Sequence, residues 1–88
     1  MDANFAAGRP IVEYPCQWEY KAIGWDEDSM RAAIVEVMAD RNHEVSFSRA
    51  SSSGRYCSLL LVVMVESEDH RNAIFTALQE HRHIRMVL

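Results

Sequence analysis

Leu59-Leu60-Leu61-Val62-Val63-Met64-Val65 is the longest unbroken apolar run in the chain. It falls far short of the about 20 residues that a helix needs to cross a membrane. A short run rich in valine and leucine, closed off by Ser58 and Glu66, reads as a strand buried on at least one face. The flanks divide it. Ser58 and Glu66 share even numbering and suit water, so Leu59, Leu61, Val63 and Val65 are expected to face a core. Leu60, Val62 and Met64 are left for the opposite face.

Toward the N-terminus, Ala50 to Arg55 carries three serines and Gly54, which is turn chemistry. Before it, Val45, Phe47 and Arg49 alternate with Ser46 and Ser48, so a hairpin is expected. Met30, Ala33, Ile34, Val37 and Met38 recur at helical spacing. Asp26 suits the N-cap of that helix and Asn42 its stop, near Arg41. Gln17 to Gly24 alternates, with Trp18, Tyr20 and Ala22 on one side and Glu19, Lys21 and Ile23 on the other. Pro10 and Pro15 bracket a segment unsuited to a central strand. Residues 1–12 are expected to form a flexible arm, ahead of a single domain over 13–88.

Toward the C-terminus, Ser67 suits the cap of a second helix, with Glu68 and Asp69 in its first turn. Ile74, Ala77, Leu78 and His81 share one side, with Phe75 at the edge. Ile84 to Leu88 reads as a last short strand. The order is β-α-β-β-α-β, the ferredoxin-like α+β plan. Two right-handed crossovers put both helices on one face of a four-stranded antiparallel sheet of order 4-1-3-2. The opening run becomes a central strand. Cys16 and Cys57 then fall at opposite ends of paired strands, roughly 20–25 Å apart at about 3.3 Å per residue, too far for a disulfide.

Composition narrows the function. The chain is 49% hydrophobic and 25% charged, with a net charge of -4, an ordinary globular balance that argues against nucleic-acid binding. The acidic excess lies in residues 1–30, where six acids face Arg9 and Lys21. The start of the chain lacks a basic, then apolar, secretory pattern, so the expectation is a cytoplasmic protein with no membrane partner.

Three stretches resemble the YbeD-like family of small bacterial proteins: Glu13-Tyr14-Pro15-Cys16-Gln17-Trp18-Glu19-Tyr20-Lys21-Ala22-Ile23-Gly24, Ser51-Ser52-Ser53-Gly54-Arg55-Tyr56-Cys57-Ser58, and Ile84-Arg85-Met86-Val87-Leu88. The likeness spans about residues 12–88. It implies a ferredoxin-like fold akin to ACT domains, the small-molecule-sensing modules of metabolic enzymes, in a bacterial cytoplasmic protein. The family's function is unknown. A lipoate-regulation label carried by some members rests on gene neighbourhood. The resemblance supplies no catalytic residue.

The residues themselves give no catalytic, cofactor or metal site. His81-x-His83 reads as a helix end and a turn, with His43 and His70 elsewhere. Ser51 to Arg55 could cradle an anion, yet a strand-joining loop needs those residues anyway. An RNA-binding sheet would show aromatic residues where this one has Leu60, Val62 and Met64. The expectation is a non-enzymatic regulatory or interaction module. Its candidate interface is the open sheet face at Ile23, Leu60, Val62, Met64 and Val87, taken by an unknown protein partner or a second copy. The alternative is an ACT-like metabolite sensor at the corner of Gly24, Trp25, Asp26 and Ser29, where glycine permits close approach and helix N–H groups face a ligand.

Overall fold

The computed structural model describes residues 11–88. Strand β1 spans Cys16–Gly24, helix α1 Glu27–Met38, β2 His43–Ala50, β3 Cys57–Val65, α2 Glu68–Glu80 and β4 Met86–Val87. The sheet order is β2-β3-β1-β4, with every neighbouring pair antiparallel. This is the expected order read from the other edge. Most of the proposed arm, residues 1–10, lies outside the described residues. Ile11 and Val12 follow it without regular structure and are exposed.

Alternation builds the two faces of β3. Leu59, Leu61, Val63 and Val65 are all but sealed from water, together with Tyr20 and Ala22 of β1 and Met30, Ala33, Ile34 and Met38 of α1. Each leucine, isoleucine, valine or methionine among them contributes about 1.5–3 kcal/mol on burial. Helix α2 brings only Ile74 and Leu78 to this core. It is fastened by polar contacts as well. The Tyr20 hydroxyl donates to the Arg71 carbonyl at 2.7 Å. Arg71 Nη1 donates to the Tyr14 hydroxyl at 2.9 Å, and the guanidinium lies 4.4 Å from the centre of the Trp18 ring. Burial pushes the Tyr20 phenol up to about 12, against a smaller opposing pull from Arg71. Among the described residues no helix is long and apolar enough to cross a membrane.

Several expectations change. Val87 opposes Ala22 and is buried in the core, so it leaves the open face. Its neighbours Met86 and Leu88 take the open-face positions, 47% and 66% exposed. Ser58 does not face water; it is covered between Ile23 and Arg49, and its hydroxyl donates to the Arg49 carbonyl. A bulge at Ser48 breaks the alternation of β2 and puts Arg49 opposite Ser58. Ala77 is exposed, because α2 meets the core along a narrow line. Helix α1 stops at Met38, the last residue with a core to bury into, rather than near Arg41. Ala39 leaves it at φ 57°. Cys16 pairs with Val65 and Cys57 with Gly24, at opposite ends of the ladder, and both thiols are free.

Candidate functional site

The β1–α1 corner starts from two local demands. Asp26 is the N-cap of α1, and its Oδ2 accepts the Ser29 N–H at 2.9 Å. Those bonds, from the Ser29 hydroxyl first and its N–H second, hold the Asp26 carboxyl below its usual range, and nearby His83 pulls the same way. Gly24 is the second demand. A Cβ there would lie 2.7 Å from Met30 Sδ and 3.0 Å from the His83 carbonyl oxygen. The close approach this glycine permits is therefore made by the chain itself.

What closes on the corner is the segment between α2 and β4. Arg85 N–H donates to the Ile23 carbonyl at 2.8 Å, and Ile84 N–H to the His81 carbonyl at 3.0 Å. The His81 ring is fixed at both nitrogens. Nδ1 accepts from the His83 N–H, and Nε2 donates to the Glu36 carboxylate of α1. The His81 and His83 rings lie 5.5 Å apart.

Together these two segments enclose a cleft of ≈ 310 Å³. Gly24, Trp25, Asp26 and Ser29 form one wall; His81 to Arg85 form the other. Its volume is at the lower end of the range for small-molecule sites. Trp25 is 64% exposed. Its ring lies 5.6 Å from the Arg85 guanidinium and 6.3 Å from the Tyr56 ring. The four residues singled out from sequence share this cleft. The opposite wall was missed. A signal for it existed in the topology: the last strand must pair with β1, so the segment leading into it must pass the corner.

The open face is built in rungs across β1, β3 and β2. Glu19, Val62 and Glu44 make one; Lys21, Leu60 and Ser46 the next; Ile23, Ser58 and Arg49 the third. Ile23, Leu60 and Val62 are half-buried between these polar neighbours, while Met64 is 45% exposed. The serine-rich loop is satisfied internally. Gly54 N–H donates to the Ser51 carbonyl, Tyr56 N–H to Ser51 Oγ and Arg55 N–H to Ser53 Oγ. Those three N–H groups are thus engaged within the loop rather than turned to an anion. Cys57 packs against the core with its thiol 3.8 Å from Met30 Sδ, and burial first, then the charges of Glu27 and Asp26, pushes it up. Among the described residues no three His, Cys, Asp or Glu side chains gather as a metal would need.

Comparison with known proteins places this architecture. The family described as "Protein of unknown function (DUF493)" matches residues 9–88. A UPF0250 protein of Idiomarina loihiensis is 31% identical over 81 residues, covering 89% of this chain and 91% of its own. An uncharacterised protein of Campylobacter jejuni is 34% identical over 70 residues, 80% of each chain. The solution structure of protein HP0495 from Helicobacter pylori superposes with a TM-score of 0.80 at 21% identity, over 100% of this chain and 97% of that one. The ACT domain from the GTP pyrophosphokinase of Chlorobium tepidum gives 0.59 at 15% identity, over 82% and 94%. At these identities the two structures speak for the fold, which is ferredoxin-like and ACT-like.

Proposed function

The chain belongs to the DUF493 family of YbeD-like small proteins, and from that premise we propose that it is a non-enzymatic regulatory domain that senses a small metabolite at the β1–α1 corner. One observation supports the reading best. Two segments distant in sequence converge on a single cleft, with Trp25, Asp26 and Ser29 facing His83, Arg82 and Arg85. The acidic run Asp26-Glu27-Asp28 would by itself repel an anionic ligand. The basic opposite wall removes that objection. A carboxylate on one side and guanidinium groups on the other suit a zwitterion of amino-acid size, whose ammonium meets Asp26 and whose carboxylate meets Arg82 or His83. A thermal-shift screen of amino acids and acyl cofactors tests it. A hit whose effect disappears in Trp25→Ala and Arg82→Ala is expected; no hit across both classes contradicts the proposal.

A second reading rests on the open face. Met64, Met86 and Leu88 are exposed there, next to Leu60, Val62 and Ile23. A lone antiparallel sheet more often turns polar side chains to water. The face is read as a protein-docking surface. A Leu60→Lys, Val62→Lys variant that behaves as the unaltered chain does, both in sedimentation and in pull-downs, contradicts it.

A further inference from the structure

We infer that the open sheet face is occupied by a second copy of this chain, stacked face to face with its strands reversed. This rests on reading the face as a docking surface and names its partner. The observation is that the face is complementary to itself in charge and in shape.

Its charges are sorted along the strands. The Val62 rung carries Glu19 and Glu44, both acidic; the Leu60 and Ser58 rungs carry Lys21 and Arg49, both basic. All four side chains are exposed. Face-packed sheets keep their strands nearly aligned, which leaves two symmetric ways to stack this face on itself. A two-fold axis along the strands and over central β3 lays each rung on its own equivalent, so Glu19 meets the partner's Glu44. Like charges opposed in this way suppress the arrangement. A two-fold axis across the strands, between the Val62 and Leu60 rungs, reverses the rungs and keeps each strand over its equivalent. Glu19 then meets the partner's Lys21, and Lys21 the partner's Glu19. Val62 and Leu60 cover one another at the centre.

Shape selects the same arrangement. Met64 stands one rung beyond Val62. The reversal carries it over the partner's Ser58, where Ile23, Arg49, Ser51, Tyr56, Cys57 and Ser58 line a hollow of ≈ 170 Å³ whose open surface is almost wholly apolar. An exposed, adaptable methionine is thus set against a hollow of matching polarity, twice by symmetry. The face offers roughly 500 Å² per copy from strand spacing and rise. Stable complexes bury about 800 Å² per partner, so the pairing is weak and depends on concentration.

Sedimentation of the full chain over a concentration series tests this with a charge swap. Monomer–dimer exchange is expected. Glu19→Lys and Lys21→Glu should each weaken it roughly tenfold or more, since each reversal turns two attractions into repulsions. Combined in one chain, the two changes should restore it to within a few-fold. Met64→Glu, which leaves the charge pairs in place, should also abolish the dimer. These positions are exposed, and unchanged circular dichroism checks that each variant folds. A chain monomeric up to about 1 mM overturns the inference, as does a dimer indifferent to the swaps and to Met64→Glu. If the chain is monomeric yet retains another protein that Leu60→Lys, Val62→Lys loses, the second copy is ruled out and the docking face survives. If that pull-down shows no difference either, both fall.

Discussion

A methyl group added to Gly24 would press on Met30 Sδ and on the His83 carbonyl, and the second of these is backbone that cannot swing aside. Gly24→Ala is therefore expected to cost about 1–3 kcal/mol, as overpacking does, measured by denaturant unfolding. Ala39 presents the opposite case. The Arg41 N–H donates to the Met38 carbonyl across a turn that holds Ala39 at φ 57° and ψ -121°, where glycine is at ease and a Cβ is strained. Ala39→Gly should stabilise the chain by about 1 kcal/mol in the same experiment. Asp26 contributes a pH dependence of its own. Its folded carboxyl is held low by Ser29, so the ionised form favours folding above the ordinary carboxylate range. That contribution fades as pH falls through the lowered folded value. Asp26→Asn keeps a cap without the titration. Its thermal midpoint relative to the unaltered chain should be constant near neutrality and should rise below about pH 4.

Strand β3 shows how far alternation reaches. The apolar run alone specified a buried strand, and the polar flanks gave its faces. Leu61→Ala should cost about 2–5 kcal/mol, a large part of the stability of so small a domain. Leu60→Ala, on the half-covered face, should cost distinctly less; equal losses in denaturant titrations would contradict the assignment of faces. Where a strand carries no bulge, parity in sequence is parity in space. At Ser48 the bulge resets that count, and no residue near it marks the change. The error at Val87 has another source. A strand of two residues has too short an alternation to fix its parity, which is set instead by the pairing of Val87 with Ala22. Helix α2 was legible as a helix from its Ser67 cap and acidic first turn. Its fastening by Arg71, Tyr14 and Trp18 was not, because those residues meet only once the sheet has formed.

For the whole molecule, the plan of alternating strands and helices was contained in the sequence, and so was half of the cleft. Gly24, Trp25, Asp26 and Ser29 are contiguous enough to be noticed together. His81 to Arg85 reach them only through the pairing of β4 with β1, a long-range contact that local pattern does not encode. These two walls are proposed to hold a small zwitterion. The most direct measurement is an amide-resonance titration of the full chain with single amino acids. Saturable shifts confined to Gly24–Ser29 and His81–Arg85 are expected with at least one of them, and are expected to be lost in Arg82→Ala. Shifts absent from both segments across the whole set, or unchanged in Arg82→Ala, would contradict it.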